Sequence, residues 1–270
     1  MKYKLIASDM DGTLVNDNHE LTERTKKAII DTVKSGVLFV ITTGRPFSNT
    51  KIVNELLDVD LPFIVLNGAA AYMGKSEKLL FEYYLDFEIA KEIYDIGQKL
   101  GIAQIVWTGP DLWANRSCEK TLKYESLGNA SMSMITDFDN LKSHTSGISK
   151  VLWIEKPADI IRLSKEMNEH FGNRLKCTSS MAHYLEFISI DAGKGPALEK
   201  VGKLYGITAD EMIAIGDNYN DISMLEYAGF SIAMANAPEE VRKTCDYVAP
   251  TNNDDGVAKM IEKFILGNNS

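Results

Sequence analysis

The chain has 270 residues, 45% of them hydrophobic, and a formal net charge of −9. That length supports one large or two modest cores, and the acidic balance disfavours non-specific binding to nucleic acid or an anionic membrane surface, while leaving room for a small phosphate substrate beside a bound cation. Cys118, Cys177 and Cys245 lie far apart without CxxC spacing, no apolar run nears the roughly 20 residues of a membrane span, and the N-terminus lacks the features of a signal peptide, so free thiols and a cytoplasmic location are expected.

Residues 5–8 read as a buried strand, because Leu5-Ile6-Ala7 is a short apolar run. Asp9-Met10-Asp11-Gly12-Thr13-Leu14 follows, so two carboxylates one residue apart leave a strand end and enter a glycine turn. Ligands and catalysts of open α/β sheets gather at such an edge. A carboxylate pair there can hold a hard cation, and one of the two can attack an electrophile. The same residues also suit a solvated turn. An EF-hand loop fits worse: Asp9, Asp11 and Glu20 match its ligand spacing, but Leu14 stands where it needs glycine.

Residues 22–35 read as a helix with Thr22 as N-cap, Ala28, Ile29 and Val33 on one face and Gly36 as stop. Residues 37–41 form a continuous apolar strand of the kind buried on both faces of a parallel sheet. Thr42-Thr43-Gly44-Arg45 follows it, and Pro46 stands near the start of a helix to about Leu57. Residues 63–66 make a third strand. This βαβαβ order predicts a doubly wound parallel sheet with right-handed crossovers.

After Asn67-Gly68 the pattern changes. Residues 69–73 and 79–83 flank the polar Gly74-Lys75-Ser76-Glu77 and predict a hairpin. Residues 87–100 read as a helix ended by Gly101, 148–154 as a strand, 158–171 as a helix and 184–190 as an alternating strand. No catalytic cluster stands out there, and the stretch reads as a second α/β unit inserted into the first. The opening style then returns. Residues 194–205 read as a helix stopped by Gly206, and 212–215 as a strand that runs into Gly216-Asp217-Asn218-Tyr219-Asn220-Asp221. Strands at 231–233 and 247–249 and a helix at 255–266 close the chain.

Four polar clusters therefore fall at strand ends or at a helix start: Asp9 with Asp11, Thr43, Lys194, and Asp217 through Asp221. If the sheet is parallel, the strand-end groups meet at one edge. Together they offer acids for a cation, a hydroxyl and amides for oxygens, and a lysine for negative charge, which suits phosphoryl transfer. Singly, each has an ordinary reading: Thr43 as a turn hydroxyl, Lys194 as a solvated lysine, Asp217 and Asp221 as turn and cap acids. Rival phosphate motifs fail, for there is no Walker A loop, and no G-x-G-x-x-G follows the first strand. His19, His144, His170 and His183 have no zinc-ligand spacing; His19 and His144 read as loop residues and His170 as a helix-end residue.

These clusters resemble, along the whole chain, the four motifs of the haloacid dehalogenase superfamily, specifically its Cof-type phosphatases. Asp9-Met10-Asp11-Gly12-Thr13-Leu14 is similar to the first motif, Thr43 in Thr42-Thr43-Gly44-Arg45 to the second, Lys194 to the third and Gly216 through Asp221 to the fourth. The Thr-Gly-Arg pattern favours Thr43 over Thr42. The resemblance implies a Rossmann-like doubly wound parallel core, residues 1–84 and 187–270, with an inserted α/β cap, residues 85–186, that sets substrate specificity. It implies a Mg²⁺-dependent phosphatase acting on small phosphomonoesters, sugar phosphates or phosphorylated cofactors, through an aspartyl-phosphate. Asp9 would be the nucleophile and Asp11 the general acid and base. Asp9, Asp11 through its main-chain carbonyl, and Asp217 would hold Mg²⁺. Gly12, Thr43, Lys194 and Asn220 would bind the phosphate, and Asp221 would orient its neighbours. Gly44, Arg45 and Asn67 are candidate substrate contacts on the core side, and Trp113, His183 and Tyr184 candidate cleft residues of the cap, where aromatic side chains also serve packing. A phosphosugar mutase of the same fold and a non-catalytic phosphate-binding regulator are the alternatives. The expected partner is a small-molecule phosphomonoester, with no nucleic acid and no membrane; oligomeric state is not legible.

Overall fold

Apolar runs bounded by glycine and polar turns form the strands, as their length and β-branched content require. The computed structural model of the protein describes residues 2–57, 59–109, 111–128, 131–144 and 146–267. In chain order the elements begin with β1 (Leu5–Asp9), α1 (Glu23–Lys34), β2 (Leu38–Thr42), α2 (Lys51–Leu56), β3 (Pro62–Val65), β4 (Ala70–Met73) and β5 (Leu79–Glu82). They continue with α3 (Phe87–Lys99), β6 (Ala103–Thr108), β7 (Asp111–Ala114), α4 (Glu119–Gly128), β8 (Met132–Met134), α5 (Leu141–His144), β9 (Lys150–Ile154), α6 (Pro157–Phe171), β10 (Leu175–Met181) and β11 (Tyr184–Ser189). They end with α7 (Lys194–Tyr205), β12 (Met212–Gly216), α8 (Ile222–Tyr227), β13 (Phe230–Met234), α9 (Glu239–Lys243), β14 (Tyr247–Ala249) and α10 (Gly256–Phe264).

The chain divides into two compact units, residues 1–81 with 193–270, and residues 82–192. The sequence put the borders at 84/85 and 186/187. The second border falls later because β11 runs to Ser189 and pairs with β10 and β9 along that length, which ties it to the inserted unit.

In the first unit the sheet order is β14-β13-β12-β1-β2-β3-β4-β5. The strands from β14 to β3 are parallel, and β4 turns back antiparallel on β3. The register sets Asp9 beside Thr42 and Ser8 beside Ile215, so the chain leaves β1, β2 and β12 on one edge of the sheet. Leu5, Phe39, Val40, Ile41, Phe63, Ile64, Ile213 and Ile232 are each at most 1% exposed, as expected of parallel strands covered on both faces. Thr22 caps α1 by accepting from the Thr25 amide, as its sequence position predicts.

Two local departures have clear causes. The helix expected from Pro46 opens as a tight 3₁₀ turn, Phe47–Thr50, with the Thr50 hydroxyl donating to the Phe47 carbonyl at 2.7 Å. Leu66, expected in the third strand, instead takes φ 52°, and Asn67 follows at φ 55°. The chain must turn there, because a Cβ on the next residue, Gly68 (φ +93°), would sit 2.2 Å from the Gly193 backbone.

In the inserted unit the order is β10-β11-β9-β6-β7-β8, antiparallel except for β7 with β8. One face packs Val106, Val151, Trp153, Leu185 and Phe187 with the buried residues of α3 and α6. The other packs Ala103, Ile105, Trp107, Leu112, Leu152 and Ile154, with Tyr124 of α4 edge-on to Trp107. All three cysteines are free thiols. Among the described residues no helix is long and apolar enough to cross a membrane.

Candidate active site

The edge defined by β1, β2 and β12 carries the polar residues that the sequence aligned. Asp9 closes β1 and is 6% exposed. The Lys194 side chain, from the first residue of α7, donates from Nζ to Asp9 Oδ1 and to Asp221 Oδ1, each at 2.5 Å. The other Asp221 oxygen accepts the amides of Asp217 and Asn218, both at 3.0 Å. Asp221 thus anchors the lysine and the turn after β12 together, and it is wholly buried. Asp217 is oriented by the Thr13 hydroxyl, which donates to its Oδ1 at 2.7 Å.

Gly12 makes this approach possible. It adopts φ +77°, and a Cβ there would lie 2.5 Å from Asp217 Oδ2. Only glycine combines the left-handed turn with that space.

Carboxylate oxygens of Asp9, Asp217 and Asp221 all lie within 4.8 Å of one another. Three acids face one ammonium, so the cluster holds more negative charge than Lys194 neutralises. The titration shifts reflect this. Burial, then repulsion from Asp221, pushes the Asp9 carboxyl well above the usual range against the pull of Lys194. Burial and the same Asp221 charge push Asp217 up to about 6, against the Thr13 hydrogen bond. Burial disfavours the Lys194 ammonium, but Asp221 and Asp9 more than offset it and hold the group above an ordinary lysine. The donor set is carboxylate oxygen, with neither histidine nor cysteine, and it suits a hard divalent cation whose charge would balance the excess acid.

The remaining candidates fall into two groups. Thr43 is 1% exposed, and its hydroxyl accepts the Arg45 amide at 3.1 Å. The neighbouring Thr42 hydroxyl turns to Met224 of α8 at 3.4 Å. Arg45 grips Asp11 with two bonds, Nε to Oδ2 at 2.9 Å and Nη2 to Oδ1 at 2.5 Å. The guanidinium expected at the substrate is therefore engaged by the Asp11 carboxylate, and His19 Nδ1 lies 3.5 Å from the same carboxylate. Asn220 donates to Asn67 Oδ1 at 3.0 Å, and Asn67 in turn fills the space where a Gly44 side chain would stand.

Sequence reasoning missed Thr13, His19 and Asn236 at this edge. Asn236 donates to the Gly12 carbonyl at 2.8 Å from the turn after β13. The strand-end rule that selected the other residues would have found it. In the inserted unit, Trp113 donates to Thr108 at 2.8 Å and packs against the face that carries α3 and α6, whereas Tyr184 stands on the opposite face. The two aromatics do not share a wall. His183 is exposed, with Nδ1 3.3 Å from the Glu155 carbonyl.

A family model described as haloacid dehalogenase-like hydrolase matches residues 6–261. The 5-amino-6-(5-phospho-D-ribitylamino)uracil phosphatase YwtE of Bacillus subtilis is 32% identical over 286 residues, covering 98% of this chain and 99% of that protein. A second phosphatase of that name in the same organism, YcsE, is 31% identical, covering 97% and 96%. Among solved structures, a haloacid dehalogenase-like hydrolase from Bacteroides thetaiotaomicron superposes with a TM-score of 0.85 at 29% identity, covering 98% of this chain and all of that one. TM0651 from Thermotoga maritima matches with a TM-score of 0.85 at 29% identity, covering 97% of each chain.

Proposed function

We propose that this chain, which belongs to the haloacid dehalogenase-like hydrolase family and is a phosphatase, hydrolyses small phosphomonoesters with Mg²⁺ through an aspartyl-phosphate on Asp9. The observation that carries the reading is the cluster of buried Asp9, half-buried Asp217 and buried Asp221 beside the ammonium of Lys194. Asp9, Asp217 and the Asp11 main-chain carbonyl hold the cation. Bound Mg²⁺ neutralises phosphoryl charge and orients the phosphate.

An Asp9 carboxylate oxygen attacks phosphorus as the bond to the leaving oxygen breaks. Asp11 gives that oxygen a proton, so the alcohol departs neutral. Asp11 then takes a proton from water as the water oxygen attacks phosphorus, which frees Asp9 and releases phosphate. Lys194, Thr43, Asn220 and the Gly12 amide bind the phosphoryl oxygens, and a transition state with spread charge rewards such positioning. Asp221 keeps Lys194 and the β12 turn in place. For Asp11 to reach the leaving group, its bond with Arg45 must open, which gives Arg45 a holding role in addition to any substrate contact.

We assign leaving-group selection to the inserted unit, residues 82–192. Sugar phosphates and phosphorylated cofactors are the substrate classes, and the named substrate of the two B. subtilis relatives belongs among the compounds to try. The test is phosphate release from a panel of such monoesters by wild type and Asp11→Asn. The expected loss in the variant is roughly 10²–10⁴-fold, the usual worth of a general acid or base. A variant as fast as wild type removes Asp11 from that role.

A further inference from the structure

The loop from Met10 to Leu21 carries Asp11, Gly12 and Thr13, and side chains from two other strand ends hold it. Asn236, in the turn after β13, donates from Nδ2 to the Gly12 carbonyl at 2.8 Å. Its own Oδ1 accepts the Asn252 amide at 3.2 Å. The Asn252 side chain, 5% exposed, spends its Nδ2 on the Val15 carbonyl at 3.1 Å and on Asp17 Oδ1 at 2.9 Å. Farther along, Asn253 exchanges two bonds with Asp17, one from the Asp17 amide at 3.0 Å and one to Asp17 Oδ2 at 2.8 Å.

These bonds end where the reaction geometry is set. The Gly12 carbonyl shares a peptide plane with the Thr13 amide, and planarity transmits the constraint across that bond. Gly12, at φ +77°, is the softest link of the loop. The Thr13 side chain beyond it is 1% exposed and orients Asp217 through its 2.7 Å bond to Oδ1. We infer that Asn236, steadied by Asn252, is a positioning residue that fixes the Gly12–Thr13 peptide and, through Thr13, the Asp217 carboxylate used for the divalent cation. This inference rests on the proposed function, because Asp217 matters in this way only if the acidic cluster binds metal.

Groups that orient ligands from behind typically contribute roughly 10–100-fold to metal affinity or activity. Asn236 is exposed, so replacing it leaves the packed core intact. The experiment measures Mn²⁺ binding directly, by the electron paramagnetic resonance of free Mn²⁺ titrated into the full chain without substrate. Asn236→Ala and the near-isosteric Asn236→Leu weaken Mn²⁺ binding by about 10-fold or more, with thermal unfolding close to that of wild type. Asn253→Ala loses the Asp17 contacts but touches neither Gly12 nor Asn236, and it binds Mn²⁺ as wild type does. Wild-type affinity in both Asn236 variants overturns the inference. So does equal weakening by Asn253→Ala, which would mean a general loosening of the loop. A wild-type protein that binds no Mn²⁺ overturns the metal reading itself, and the inference with it.

Discussion

Two lysines are buried to the same degree in the two units and do different things. Lys194 in the first unit and Lys150 in the inserted one are each 1% exposed. Lys150 meets one carboxylate, Glu186, at 2.9 Å, beneath the Trp107 ring 5.6 Å away. The pair sets one ammonium against one carboxylate, with Tyr124 and Tyr184 close enough to Lys150 to act on its charge. Lys194 meets two carboxylates with a third beside them, so its surroundings remain negative. Burial of a lysine therefore does not mark a site. Unbalanced charge at a strand end does, because something positive must complete it.

Removing each lysine sharpens this contrast. Lys194→Met leaves the acids with no ammonium. It should lower phosphate release by roughly 10²–10³-fold or more, as loss of one positioned donor does. It should also cost about 3–5 kcal/mol of stability as a broken buried pair, part of which Mg²⁺ restores. Steady-state rates and denaturant unfolding with and without Mg²⁺ test both; an active variant with normal stability would break the comparison from the catalytic side.

Lys150→Met removes the ammonium that faces the buried Glu186 and should cost about the same 3–5 kcal/mol, as breaking a buried pair does. Here Mg²⁺ gives no recovery, and the double variant Lys150→Met with Glu186→Leu regains most of the loss. Metal rescue of Lys150→Met would show that the inserted unit's pair is not the charge-balanced pair described.

The smallest effect is on pH dependence without metal. Asp217 is pushed up to about 6 in the folded protein, against about 3.9 for an unperturbed aspartate. Between these values the folded state binds more protons than the unfolded chain, so stability falls as pH rises through that window. Asp9 is pushed in the same direction. Metal-free protein should therefore melt lower at pH 7 than at pH 5, and saturating Mg²⁺ should raise the pH 7 value most. A melting temperature that rises from pH 5 to 7 without metal would show that other groups outweigh the acidic cluster.

Much of the first unit was legible because its strands are continuous apolar runs and its polar residues follow them directly. Asp9, Thr43, Lys194, Asp217 and Asp221 could be aligned from order alone. What sequence order does not carry is which partner each group chooses. The bidentate Arg45–Asp11 bond joins residues on different loops, and the bond from Asn236 to the Gly12 carbonyl spans 224 positions. The left-handed turn at Leu66 was hidden because an apolar side chain there reads as strand. In the inserted unit β6, β7, α4, β8, α5 and β10 escaped notice. β7, β8 and α5 are each four residues or fewer, too short to show a period, and β10 carries the polar run Thr178-Ser179-Ser180, which reads as a loop.

The most direct test of the central claim compares phosphate release by wild type and Asp9→Asn, in Mg²⁺ and in chelator, with the variant's fold checked by its unfolding curve. The account predicts release that chelator abolishes and that the folded variant lacks entirely. Release that survives chelation, or that persists in Asp9→Asn, would contradict it.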